Sequence, residues 1–292
     1  MTPGAILLVA VLLFSPAPAA AGNLRVLASF LPVYLFARNV VGDTPGVSVE
    51  LMLPASLGCP HDYALTPGDM RKIAAADLFI ANGQGMEEFL GAPVRKANPR
   101  VRVVETAAGI PTIRGVGGEH GGINPHTWVS PRNAILQVRA VEKALSEAYP
   151  PGAPSFRRNA DVYVGRLSVL VREFEAAALA LSGRNIVTSH NVFDYLARDL
   201  GLVIVGEIET TPGQEPSAGE ASKLIRAIRE RKAAAVFREP QFPERLAAMI
   251  AREAGVPMRV LDPVSTGSTA PSTYEDVMRK NLLALMEALA KR

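Results

Sequence analysis

The chain has one cysteine, one tryptophan and four histidines in 292 residues. A single thiol, Cys59, excludes an intramolecular disulfide, and a chain of this length buries an adequate core without one. An oxidising compartment is thus permitted but not demanded. No apolar run reaches the roughly 20 residues that a membrane-spanning helix needs. The net charge of +3 is too small and too dispersed to form a nucleic-acid footprint. There is no HExxH helix, no GxSxG elbow and no glycine-rich phosphate loop, which weighs against the commonest hydrolase and nucleotide chemistries.

What is present starts at the N-terminus. The apolar run Ala5 to Phe14 is followed by SPAPAAAG, whose small residues suit a cleavage site. Residues 1–21 therefore read as a secretory signal peptide cut after Ala21, although MTPG supplies no Lys or Arg. No cysteine stands at the cleavage site, so the expected mature chain carries no lipid anchor. With 48% hydrophobic and 20% charged residues, the remainder has an ordinary globular composition.

After the leader, strand-like runs alternate with helical stretches. LRVLAS, VSVELML and DLFIANG frame the first half, and NIVTS, LVIVGE, AAVFRE and MRVLD the second. Such alternation predicts parallel βαβ units. The expected fold class is α/β, with two parallel-sheet lobes over residues 22–154 and 183–292. Residues 155–182 differ, because Ala160, Val164, Leu167, Val171, Phe174, Ala178 and Leu181 recur at steps of four and three. That spacing predicts one helix of roughly 40 Å, with no Gly or Pro between Arg166 and Leu181 to bend it. It either joins the lobes as a rigid strut or lies along one of them.

Three of the four histidines share a context. His61 in GCPHDYALTP, His126 in NPHTWVSP and His190 in IVTSHNVFDYL each precede a helix start and are expected to follow a strand. Asp262, in VLDPVSTG, follows at a similar interval. Thr66-Pro67 and Ser130-Pro131 read as N-cap plus first-turn pairs, and Ser189 as a cap for the helix from Asn191. Pro60 and Pro125 restrict how the backbone presents the imidazoles that follow them. Taken singly, each histidine is more simply a hydrogen-bonded structural residue. Taken together, three imidazoles and a carboxylate at strand ends suit a small divalent transition metal in an interlobe cleft, zinc before calcium or magnesium.

These motifs resemble a family, the metal-binding solute-binding proteins of bacterial ABC importers for zinc and manganese. The resemblance covers nearly the whole mature chain and rests on PHDYALTPGD (60–69), NPHTWVSP (124–131), TSHNVFDYLARDLGL (188–202), PGQEPSAGEASKLIRAIRE (212–230), VFREPQF (236–242) and LDPVSTG (261–267). It implies metal ligands at His61, His126, His190 and, in many members, Asp262. It further implies two lobes joined by one long helix, a monomeric periplasmic protein, and delivery of Zn2+, or alternatively Mn2+ or iron, to a membrane permease. No catalysis is implied.

Other residues keep two readings. Cys59 is a soft thiolate ligand or a small buried hydrophobe. Glu207 is a ligand or a partner holding one. His120, beside Glu119 in a glycine-rich loop, belongs to a reduced metal-scavenging loop or to an ordinary solvated one. Two rival functions also stand: a catalytic zinc, which turnover would reveal, and an adhesin on the same scaffold, which metal stoichiometry would separate.

Overall fold

The structure is a computed structural model and describes residues 23–58, 60, 63–114, 122–209 and 216–289. The expected leader and the segments carrying Cys59, His61 and His120 lie outside the described residues.

The first half runs β1 (Leu24–Ala28), α1 (Leu31–Val41), β2 (Val47–Leu51), α2 (Pro67–Ala75), β3 (Leu78–Ala81), α3 (Gly91–Ala97) and β4 (Arg102–Glu105). A small hairpin, β5 (Ile113–Arg114) and β6 (Ile123–Asn124), leads into α4 (Pro131–Ala148) and the long α5 (Ala153–Leu181). The second half runs β7 (Asn185–Thr188), α6 (Asp194–Leu200), β8 (Val203–Glu207), α7 (Ala218–Glu230), β9 (Ala235–Arg238), α8 (Glu244–Ala254), β10 (Met258–Val260) and α9 (Thr273–Leu289).

Each half builds a four-stranded sheet, ordered β2-β1-β3-β4 and β8-β7-β9-β10. Every ladder in the two sheets is parallel. Central β3 (LFIA) is buried at every position, whereas edge strand β2 (VSVEL) alternates half-buried and exposed residues, as one covered face requires. The two sheets share one connectivity, in which the first strand is flanked by the second on one side and the third on the other. A crevice therefore opens at the carboxyl ends of β1 and β3 in one lobe and of β7 and β9 in the other.

Two of the three predicted caps form. Thr66 and Asp69 make a reciprocal capping box ahead of Pro67, and the Ser130 side chain accepts the Asn133 N–H ahead of Pro131. The helix expected over residues 155–182 is α5, which spans 29 residues. Its buried stripe is Phe156, Ala160, Tyr163, Leu167, Leu170, Phe174, Ala177 and Leu181. Val164, Val171 and Ala178, expected on that stripe, are only half-buried, because Tyr163, Leu170 and Ala177 complete a seven-residue repeat centred on the neighbouring face. At Gly152, between α4 and α5, a Cβ would lie 2.6 Å from the Phe156 ring, so only glycine lets the chain turn there.

α5 packs against α1, α4, α6 and α9. One apolar core runs through it from Leu27 and Phe36 in the first half to Phe193, Leu196 and Phe237 in the second. A second, smaller cluster lies between the second sheet and α7 and α8, around Val236, Ile228 and Ile250.

Candidate metal centre

His190 follows β7 at the crevice of the second sheet and is buried. Its Nδ1 lies 2.6 Å from Oε1 of Glu239, which sits just beyond the end of β9 and is fully buried. The Glu239 carboxylate also accepts from the Gln241 amide at 2.6 Å. Ser189 does not cap the following turn. Its hydroxyl instead accepts the Glu239 backbone N–H at 3.1 Å, because the neighbouring strand end offers a buried donor that must be satisfied.

His126 is reached differently from the expectation. It follows β6, a two-residue antiparallel strand, and not a strand of the main sheet. The loop is held from the first-lobe crevice: the Asn82 amide, just past β3, donates to the Pro125 carbonyl at 2.9 Å, and Thr127 and Gln137 donate to Asn82 Oδ1. Asn124 Oδ1 accepts the His126 backbone N–H at 2.9 Å and lies 2.8 Å from His126 Nδ1. Flipping the amide would turn a donor toward that N–H, so the oxygen is assigned by the hydrogen-bond pattern.

Both imidazoles thus have Nδ1 against an oxygen: a carboxylate for His190, an amide for His126. Each therefore carries its hydrogen on Nδ1, so that the ring in its neutral form presents the Nε2 lone pair a metal requires. The ring centroids are 5.3 Å apart at an interplanar angle of 77°. Two imidazoles bound through Nε2 to one tetrahedral ion, at Zn–N distances near 2.0–2.1 Å, would place their centroids roughly 5 Å apart. The pair therefore has metal-binding spacing. Among the described residues no three His, Cys, Asp or Glu side chains form a ready ligand cluster, and a third imidazole at His61 lies outside them.

Asp262 follows β10. Its backbone is gripped at both polar groups by Asn281, at 2.8 and 2.7 Å, and its Oδ1 accepts the Val264 N–H at 2.8 Å. Val264 is fully buried with φ +62°, a conformation a β-branched residue adopts only under constraint. Burial raises the Asp262 pKa, and the Glu239 charge adds to that. Glu207, at the end of β8, is pushed up to about 7, chiefly by burial and then by Asp194, while His190 pulls the other way. Glu207 thus belongs to the electrostatic surroundings of His190.

The two histidines come from different lobes, and the lobes are tied around them. Trp128, buried against Phe30 and His126, donates Nε1–H to the Pro263 carbonyl at 2.7 Å. Tyr274 donates to the Trp128 carbonyl at 2.7 Å, and the Ser130 hydroxyl donates to Asp199. At the cleft rim, the Gly267 N–H reaches the Ala55 carbonyl at 2.9 Å. Opening the lobes would break these bonds together and expose the shared core, and hinge motion needs residues that absorb large dihedral changes, which α5 lacks. Small-angle scattering curves of the apo and metal-loaded protein are therefore expected to superimpose. A large compaction on loading would refute a rigid strut.

Glu239 and Asn124, the partners that orient the imidazoles, were not singled out by sequence reasoning. Their signals were present as an acidic residue at a strand end, in FREP, and an asparagine two positions before a candidate ligand, in NPH.

The fold and this paired-histidine cleft define a two-lobed α/β binding protein. The family described as zinc-uptake complex component A, periplasmic, matches residues 26–288, and the chain belongs to it. That membership places it among substrate-binding components of uptake systems and not among enzymes. The zinc-binding lipoprotein AdcA of Streptococcus pneumoniae is 30% identical over 282 residues, covering 91% of this chain and 56% of AdcA. The chain thus spans about half the length of that relative. The high-affinity zinc uptake system protein ZnuA of Bacillus subtilis is 28% identical, covering 91% of this chain and 88% of ZnuA. Among solved structures, FpvC from Pseudomonas aeruginosa in complex with Mn2+ superposes with a TM-score of 0.82 at 29% identity, covering 91% of this chain and 98% of FpvC. Zn(II)-bound AdcA from Streptococcus pneumoniae gives 0.79 at 30% identity, covering 93% of this chain and 59% of AdcA. No helix among the described residues is long and apolar enough to cross a membrane.

Proposed function

We propose that this chain captures a divalent transition metal, zinc foremost, in the periplasm after export by its N-terminal leader, and hands it to the permease of an ABC importer. The observation that carries the reading is the His126–His190 pair, with centroids 5.3 Å apart and Nδ1 of each ring against an acceptor oxygen. The proposed ligand set adds His61 and Asp262. Nitrogen-rich donors favour zinc over manganese, which takes more oxygen. The relatives whose names record zinc binding support the same choice, and the manganese-bound neighbour supports Mn2+ as the second candidate.

Elemental analysis of protein purified from its native compartment without added metal tests the assignment. One zinc per chain is expected, retained against a weak chelator and removed by a strong one. Manganese or iron at that stoichiometry, with zinc absent, would overturn the choice of ion.

A further inference from the structure

The segment after His190 does more than start a helix. The Asn124 amide nitrogen donates to Asp194 Oδ2 at 2.9 Å and to the Asn191 carbonyl at 2.6 Å. The Tyr195 hydroxyl donates to the Asn124 carbonyl at 2.8 Å. Three residues of the NVFDY stretch, all from the second lobe, therefore grip Asn124, whose amide oxygen meets Nδ1 of the first-lobe imidazole.

We propose that Asp194 is a positioning residue for His126, setting its tautomer from across the lobe boundary through Asn124. The inference rests on the metal-site reading above. The chemistry is directional at each link. An ionised carboxylate only accepts, so Asp194 faces the amide nitrogen of Asn124 and turns the amide oxygen toward His126. That oxygen also only accepts, so His126 Nδ1 carries the hydrogen and Nε2 presents its lone pair to the cleft. A hydrogen bond to a charged acceptor is roughly twice as strong as a neutral one, which gives this contact the largest hold on the amide's orientation. Asp194 also stands in the first turn of α6, where the helix dipole favours a negative charge. One short stretch of chain thus serves both histidines, carrying His190 itself and orienting His126 at second hand.

A double-mutant cycle read by zinc competition against a chelator tests this. Asp194→Ala is expected to weaken zinc binding about tenfold in the wild-type chain, the lower range for lost ligand-orienting partners. In a His126→Ala background it should cost less than about twofold, because the orienting effect has nothing left to act on. Asp194→Asn, which keeps an acceptor oxygen for the Asn124 amide, should stay within about threefold of wild type. Equal losses in both backgrounds would show a general structural or electrostatic role and overturn the proposal. So would an Asn variant as damaging as the Ala variant. If His126→Ala itself left zinc affinity unchanged, the metal-site reading would fail first, which is a distinct result. Nitrogen-15 spectra of the apo wild-type imidazoles give a second readout that needs no variant to fold: His126 protonated on Nδ1 is expected, and protonation on Nε2 would overturn the proposal.

Discussion

Replacing His126 or His190 with alanine lowers zinc affinity by well over tenfold, more than about 1.4 kcal/mol each. Each substitution removes one nitrogen donor and leaves its orienting partner without its ring, Asn124 in one case and the fully buried Glu239 in the other. The second loss is the graver, because a buried carboxylate deprived of a donor retains its desolvation cost. His190→Ala should therefore also lower the melting temperature of the apo protein, whereas His126→Ala should mainly affect binding. The same affinity loss is expected at His61, and a smaller one at Asp262, whose Oδ1 is already engaged by the Val264 N–H. His120→Ala should change little. Competition titration with a chromophoric chelator decides the matter, and a His120 variant as damaging as the others would discard the ligand set.

Zinc affinity falls by about three orders of magnitude between pH 7.5 and 5.5. An imidazole of ordinary pKa, about 6.5, is roughly nine-tenths protonated at pH 5.5, and each bound imidazole must be neutral, so the three proposed histidine ligands contribute about tenfold apiece. Glu207 acts in the same direction for binding: with its pKa at about 7, it loses its negative charge near His190 as the pH falls through that value. For the apo fold the sign reverses. The Glu207 pKa is raised from 4.5 to about 7, so the folded chain holds that proton more tightly than the unfolded chain. This contribution to stability is full below about 4.5 and is lost as the pH rises through 7. Glu87, raised to about 6 by burial, acts likewise. Acidification should thus weaken metal binding while these two groups strengthen the empty fold. Calorimetry in buffers of different ionisation enthalpy measures proton uptake on release of zinc, and Glu207→Gln should flatten the apo melting-temperature profile between pH 5 and 7. Affinity that stayed level across this range would contradict an imidazole-based site.

Much of the fold was legible before any coordinates. The parallel sheets followed from apolar runs punctuated by helical stretches. The α2 and α4 starts followed from Thr66-Pro67 and Ser130-Pro131, where cap chemistry acts over three residues. The long helix was placed to within two residues of its observed start, yet its buried face was read one position off, because Val164 and Tyr163 are both apolar enough to suit the stripe. Which of them turns inward depends on α1, α4, α6 and α9 arriving from elsewhere in the chain. His126 was expected to follow a strand of a main sheet because it shares its context with His61 and His190, and only the pairing of Ile123 with Arg114 reveals a two-residue antiparallel strand instead.

The amino-acid order alone determined the secondary-structure rhythm, the helix caps and the residue types able to hold a metal, since all of these arise from interactions among near neighbours along the chain. Tertiary structure decided the rest. Asn124 meets Asp194, and His190 meets Glu239, across separations of 70 and 49 residues. The first meeting depends on the two lobes packing on a shared core, and the second on β7 and β9 lying side by side in one sheet. No local pattern encodes which buried oxygen faces which imidazole nitrogen, because that choice is made when each buried polar group takes the partner that packing brings within reach.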